Sequence, residues 1–582
     1  MLKKFFISML GTIAGLWLTI FIGVVLVIAL FSSLLASSVS TEPIKDGSIL
    51  HIKLDGSTMP DYGKQGDFWT VVRDGDAQGE TFVDVLDAIR LSAKDARIKG
   101  IYLDCGTSDI HAAQREEIIN ALREFRETGK WVIAYADNYS QGDFMIASAA
   151  DEVIVNPVGS VNIHGVVTQV PFFAGLLDKV GVKMQVVRVG EYKSAIEPFT
   201  LTKMSEASHL QYTEMIDSLW NYTAGSIATG RGLDIATVRS YPDSIIAFKL
   251  AKDVAGLVTD TKYRREVEDY LRSKVDIDKD KDLPFVTPTE YMASNGSSHS
   301  DKHVAVFFAE GDIVDTGGTG ISADAVVPQI LELADDDDVC GLVLRINSGG
   351  GSAFASEQIW EALEYFKSKN KPLYVSMGGV AASGGYYIAC GADSIYTDRT
   401  TITGSIGVFG MIPDISGLMT GHLGINFTEV KSNENALLLN TNKPLPQEQL
   451  DALQTMVNTT YDIFTGRVAA GRGLEQDSVK AIGQGRVWIG GRAVEIGLAD
   501  WVGGLDAAIT DMVNALGLDR SDVEYYPAYD NQMWLEWVRQ ARGNVQMGGV
   551  TMDATTRRLL HVIDYVSNAA TVQAHIEPIE FK

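Results

Sequence analysis

The two halves of this 582-residue chain align with each other, so its architecture is a tandem of like units before any motif is read. "REEIINALREFRETGKWVIAYADNYSQGDFMIASAADEVIVNPVGSVNIHGV" begins at Arg115, and "SEQIWEALEYFKSKNKPLYVSMGGVAASGGYYIACGADSIYTDRTTITGSIGV" begins at Ser356. Asp151 pairs with Asp393 and Gly165 with Gly407 at one offset. Gly100 pairs with Gly341 and Gly256 with Gly497 at an offset one residue shorter. Each unit then reads as a helix, an apolar strand ("IKGIYLDC", "VCGLVLRIN"), a loop and an amphipathic helix ("IINALREF", "IWEALEYF"). A strand ("WVIAYA", "PLYVSM"), a short helix and a further strand follow. Strands alternating with helices predict an α/β fold. The polar, turn-rich segment from Asp276 to Lys302 is the expected linker, leaving 46–275 and 303–582 as the two repeats.

Residues 1–45 carry a different signal. Lys3 and Lys4 precede a stretch with no charged residue from Phe5 to Ser40. Its apolar part runs to about 30 residues, where a spanning helix needs roughly 20 and a signal-peptide core about 7–15. An uncleaved membrane anchor is expected, with the lysines in the cytoplasm and the bulk of the chain outside it. No later segment offers a second span. The net charge of −26 argues against nucleic acid as a partner, since its phosphates would be repelled. Cys105, Cys340 and Cys390 are too few for a disulfide framework and read as buried small hydrophobes.

The chemistry-bearing segments cluster in the second repeat. In "LYVSMGGVAASGGYYIACGAD", Ser383 follows a strand and opens a short apolar helix between Gly378, Gly379, Gly384 and Gly385. Glycines permit a sharp turn there, and the helix start leaves amides free to face developing negative charge. In "LRINSGGGSAFASEQIW", Gly349, Gly350 and Gly351 follow a strand and precede a helix. They suit a backbone oxyanion hole and a strip that pairs with extended peptide. A phosphate loop is disfavoured, because no Gly-Lys-Ser/Thr follows. None of the nine histidines sits in a motif that marks a base; His164 reads as structural or hydrogen-bonding. No zinc-ligand spacing occurs. Lysine is the remaining base, since burial lowers its pKa toward operating pH. Lys193, in "VVRVGEYKSAIEPF", follows an apolar strand beside a tight turn. In the repeat register Ser383 corresponds to Gln141, and Lys193 to about Ala436. One half keeps the base and the other the nucleophile.

"MGGVAASGGYYIACGAD", "TGSIGV", "VGEYKSAIEPF" and "GRVWIGGRAVEIGLAD" together resemble the long, tandem-domain form of the signal peptide peptidase A (protease IV) family. The resemblance spans nearly the whole chain past the anchor. It implies tandem Clp protease/crotonase-like repeats of ββα-type units and a serine endopeptidase with a Ser/Lys dyad. Its substrates would be cleaved signal peptides and other extended hydrophobic peptides, and no cofactor is needed. It also implies a homotetramer on the bacterial inner membrane, with the catalytic part on the extracytoplasmic side. Carried over by residue, the nucleophile falls on Ser383 and the base on Lys193. The serine that orients the lysine falls on Ser405, and the oxyanion amides fall near Gly350 and Gly384. The family often has Pro at the position of Gly349, which loosens that loop here. Lys431 is the rival base, since single-repeat relatives supply both groups from one repeat. A crotonase-like acyl-thioester enzyme and an inactive membrane scaffold are the alternative readings.

Overall fold

The computed structural model describes residues 43–63, 80–295, 301–317, 320–527 and a strand at 573–575. The expected anchor lies outside the described residues save for its last three. Among the described residues no helix is long and apolar enough to cross a membrane.

The first repeat comprises β1 (Ser48–Lys53), α1 (Phe82–Lys94), β2 (Ile98–Asp104), α2 (Ala112–Glu127), β3 (Trp131–Ala136), α3 (Gln141–Ala147) and β4 (Glu152–Val155). It continues through β5 (Lys183–Val189), α4 (Glu206–Arg231), β6 (Asp260–Thr261) and β7 (Phe285–Val286). Strands β1 to β4 are apolar on both faces, the pattern of a sheet covered on both sides. They form a parallel sheet in the order β6-β4-β3-β2-β1-β7. Helix α1 shows how the cover is built. The Thr81 hydroxyl accepts from the Asp84 amide at 3.1 Å, and Phe82, Val85, Leu86 and Ile89 form one buried stripe. The segment expected as a linker contains regular structure. Phe285 and Val286 extend the sheet beside Ile49 and Leu50, and the helix Pro288–Asn295 buries Tyr291. These few apolar residues, set in polar sequence, cover an edge that β1 would otherwise expose.

The second repeat begins with β8 (His303–Glu310), β9 (Ile313–Val314), β10 (Ile321–Ser322), α5 (Ala323–Asp335), β11 (Val339–Ser348) and β12 (Gly350–Ser352). Next come α6 (Ala353–Ser368), β13 (Leu373–Ala382), α7 (Gly384–Ala389), β14 (Ser394–Thr397), β15 (Ile402–Gly404) and β16 (Val408–Asp414). It closes with α8 (Gln447–Arg472), β17 (Val487–Ile489), β18 (Trp501–Val502), β19 (Val523–Tyr526) and β20 (Gln573–His575). Its main sheet runs β17-β15-β13-β11-β8-β19. The repeat is visible in the long helices: α4 and α8 each have 26 residues and end on a left-handed glycine, Gly232 and Gly473. Cys105 and Cys390 are buried as expected, whereas Cys340 is only half-buried.

Strand β13 forks. It pairs with β14 through Tyr374–Met377 and with β15 through Val380–Ala382, and Gly378 and Gly379 fall at the switch. The fork carries the end of β13 away from β14 and delivers Ser383 to the seam between the repeats. A third sheet, β10-β9-β12-β20-β16-β5, crosses that seam. In it β5 of the first repeat pairs antiparallel with β16 of the second, from Val189 on Val408 to Lys183 on Asp414.

The repeats also share a core. Phe82, Val85 and Ile119 of the first cluster with Val304, Val343, Leu505 and Ile509 of the second. One ionic group spans the seam. The buried Arg345 guanidinium lies 2.9 Å from Asp61 and 3.1 Å from Glu117, and donates to Ser376 Oγ at 2.9 Å. Burial alone would raise the Asp61 carboxyl; Arg345, with Gln114 and His111, more than offsets that and holds it below the ordinary range.

Candidate active site

Ser383 caps α7 with φ 56° and ψ −113°, a conformation that side chains rarely adopt. Two bonds hold it there: its amide donates to Gly404 O at 2.8 Å, and its carbonyl accepts from Tyr387 N at 2.8 Å. Ser405, one residue past β15, is also left-handed, with φ 51°, and its amide donates to Arg486 O at 2.7 Å. Both hydroxyls are buried and converge on one amine. Lys193 Nζ lies 2.7 Å from Ser383 Oγ, 3.0 Å from Ser405 Oγ and 3.1 Å from Ser405 O. Lys193 is 1% exposed. Burial pushes its ammonium well below the ordinary lysine range.

Lys193 reaches this point because β5 lies along β16. Val189 pairs with Val408, so the chain leaving β5 passes beside the stretch that follows Ser405. Tyr192 N then donates to Gln484 O at 2.9 Å, and Gly485 sits against the backbone of Lys193. A Cβ on Gly485 would lie 2.7 Å from Lys193 Cβ and N, so only glycine leaves room there.

The glycine strip packs against the start of α7. Gly385 has no room for a Cβ, which would meet Ser348 O at 2.7 Å. Gly384 lies in the first turn of α7, where amides have no acceptor within the helix. The Gly350 amide donates to Ser348 Oγ at 3.1 Å. Gly350–Ser352 pairs antiparallel with β20, whose Gln573 also pairs with Phe409.

The other sequence candidates lie apart. Lys431 is exposed and ion-paired with Glu434 at 2.7 Å. His164 is exposed, and its backbone amide donates to Gln141 Oε1 at 3.0 Å. Gln141, the counterpart of Ser383, is thus tied to its own loop, also through Gly165 N and O at 2.9 Å each. No His/Cys/Asp/Glu group that could hold a metal occurs among the described residues. Sequence reading passed over Gly485, Arg486 and Gln211. Gly485 lay within a quoted motif, but nothing local marked what it faces.

A strained serine, a buried amine and a second serine at a repeat seam have the geometry expected of a serine hydrolase site. The sequence profile of Peptidase family S49 matches twice, over residues 124–278 and 365–519, and that of Clp protease matches residues 296–405. Protease 4 of Haemophilus influenzae is 35% identical over 445 residues, covering 73% of this chain and 71% of that one. Protease 4 of Salmonella typhi is 33% identical over 462 residues, covering 77% and 74%. The chloroplastic serine protease SPPA of Arabidopsis thaliana is 29% identical, covering 72% and 63%. The chain belongs to Peptidase family S49 and is a serine peptidase of α/β fold with tandem S49 domains and a Clp protease-like region.

Proposed function

We propose that Ser383 and Lys193 form a catalytic dyad across the two repeats and that its substrates are extended hydrophobic peptides, signal-peptide remnants among them. The observation that carries this reading is the 2.7 Å approach of a buried, charge-depleted amine to a strained hydroxyl. A neutral amine has two hydrogens and one lone pair. The hydrogens donate to Ser405 O and Ser405 Oγ, which turns the lone pair toward Ser383 Oγ. Ser383 Oγ attacks the peptide carbonyl carbon while its proton passes to Nζ. The oxyanion is met by the amide of Gly384 and by that of Gly350, which gives up its bond to Ser348 Oγ to do so. The ammonium then protonates the leaving nitrogen as the C–N bond breaks. Water, deprotonated by the same amine, attacks the ester carbonyl; as the C–Oγ bond breaks the ammonium returns its proton to Ser383 Oγ, and the acid product leaves.

Substrate would take the place that β20 holds beside Gly350–Ser352, displacing it and making main-chain pairing of the same kind. In this reading residues 46–275 supply the base and 303–582 the nucleophile, joined through 276–302. Residues 1–45 anchor the chain in the bacterial inner membrane as a single span, with the site on the extracytoplasmic side. The assembly is a homotetramer. Supporting an interface, the stretch between β16 and α8 exposes Leu423, Ile425, Phe427, Val430 and Leu438.

The test is hydrolysis of a quenched fluorescent peptide. Ser383→Ala and Lys193→Ala should each lower kcat by about 10⁴-fold or more, and Ser383→Ala should lose labelling by a fluorophosphonate. Near-normal turnover in Lys193→Ala would end the cross-repeat dyad. Retention in membranes through an alkaline wash tests the anchor, and the mass of the detergent-solubilised particle tests the tetramer.

A further inference from the structure

We propose that Gln211 is a positioning residue for the reaction: its one carboxamide ties both chain neighbours of Lys193, the Tyr192 carbonyl and the Ser194 hydroxyl, to the strand that holds Ser383 and Ser405 in register. This inference rests on the dyad reading above.

Gln211 lies in the first turns of α4 and is 3% exposed. Its Nε2 donates to Tyr192 O at 3.3 Å and to Ser194 Oγ at 3.0 Å. Tyr192 and Ser194 are the two neighbours of Lys193 in the chain. Its Oε1 accepts from Val487 N at 3.2 Å, across the seam. Val487 pairs with Gly404 in the β15–β17 ladder. The Gly404 carbonyl takes the Ser383 amide, and the next residue is Ser405. Two hydrogens and one acceptor lone pair therefore join the base segment to the segment that carries both serines.

The arrangement requires a carboxamide. Tyr192 O is an acceptor and Val487 N is a donor, so the group between them must both donate and accept. A carboxylate in its place has no hydrogen to give and would face Tyr192 O. A thioether fills the volume and makes none of the three bonds. Lys193 would remain buried in either case. What changes is how tightly its backbone is held to the serine strand, and a small displacement there acts directly on the Nζ to Oγ distance. Misplacement of a reacting group by about 1 Å lowers rates by roughly 10²-fold.

The experiment compares Gln211→Met and Gln211→Glu with the full-length parent in kcat, KM, thermal midpoint and pH–rate profile. Gln211→Met should lose kcat by about 10–10²-fold with KM within about twofold. Gln211→Glu should lose kcat similarly and move the acidic limb of the profile to higher pH, because an added carboxylate favours the charged form of Lys193. Folded variants with parental kcat and an unmoved acidic limb would overturn the proposal. So would a loss of kcat that only tracks a lowered thermal midpoint, the mark of a packing role. If neither variant folds, Ser194→Ala carries the test: it removes one of the three bonds and should lower kcat severalfold, and parental kcat there overturns the inference. Lys193→Ala is run alongside. Activity retained in that control breaks the dyad reading itself, whereas an inactive control beside active Gln211 variants breaks only the present proposal.

Discussion

Gly485→Ala should disable the enzyme through a single methyl group that touches no substrate. Gly485 has φ +76°, where an L-residue costs roughly 1–2 kcal/mol. The new Cβ would stand 2.7 Å from Lys193 Cβ, 2.7 Å from Lys193 N and 2.8 Å from Lys193 Cα. Packed carbons sit about 3.5–4.0 Å apart, so Lys193 or the Gly485 loop must retreat by roughly 0.8 Å. Two of the three atoms are backbone, so no side-chain rotation relieves the contact. Overpacking of this kind costs about 1–3 kcal/mol. Together with the strain it should lower stability by roughly 2–5 kcal/mol. The larger effect falls on catalysis, since a displacement near 1 Å at the base corresponds to roughly 10²-fold in kcat. The control is Gly473→Ala, at φ +62° with nothing within 4 Å of its Cβ. It carries the backbone strain without the collision, so it should lose stability and keep kcat. Peptide turnover at saturation and urea unfolding of both variants decide the matter. Equal kcat in the two would refute the account of Gly485 as the surface that seats Lys193.

Arg345→Met should cost about 3–5 kcal/mol in urea unfolding, because Asp61 and Glu117 would be left buried without their counter-charge; a loss under about 1 kcal/mol would contradict the reading of that group. Lys193→Met should abolish turnover yet unfold at higher urea than the parent at pH 7. The folded amine holds its proton less tightly than the unfolded one, so parental stability rises with pH from the lowered folded pKa toward the unfolded value of about 10.4. The gap between the two proteins should close along that interval, and a gap independent of pH would refute burial as the cause. The same depressed pKa predicts that parental kcat falls as pH drops through it, measured on the peptide substrate. Lys431→Ala should leave kcat within about twofold, since its ammonium is exposed and paired with Glu434; a loss of several orders would restore it as the base.

How much of this was legible before folding follows from the range of each interaction. The repeat, the alternation of strand and helix, and the glycine setting of Ser383 are local patterns, and they reappear as β1–β4, β8–β15 and the α7 turn. The pairing of Lys193 with Ser383 was reachable because the repeat register shows Gln141 and about Ala436 where a second copy of each group would stand. Contacts between distant segments were not legible. Gln211 belongs to a long helix of weak amphipathic pattern, and its carboxamide acquires meaning only when Tyr192, Ser194 and Val487 surround it. The transfer of β5 to the sheet of the other repeat was hidden for the same reason: an apolar strand does not state its partner. The strand within 276–302 was hidden by composition, two apolar residues in a polar run.

Placing Ser383, Ser405 and Lys193 together at the seam, as the proposed dyad does, concentrates the unfavourable terms at one place. Ser383 and Ser405 hold left-handed backbone, each at a cost of about 1–3 kcal/mol, and among the described residues Lys193 is buried with no carboxylate to pair with. None of these is stable alone. They persist because the surrounding contacts over-determine them: the Gly404 and Arg486 carbonyls hold the serine amides, the β5–β16 ladder holds the base segment, and the shared core with Arg345 holds the repeats together. The site is therefore the part of the molecule most sensitive to how the repeats dock. A change that loosens the seam by a fraction of an ångström relaxes the strained serine and admits water to the amine before it unfolds either repeat. Catalysis should fail ahead of structure in a variant that shifts the seam only slightly, because the Nζ to Oγ contact responds to a displacement of about 1 Å while the shared core and the packing within each repeat still hold the fold.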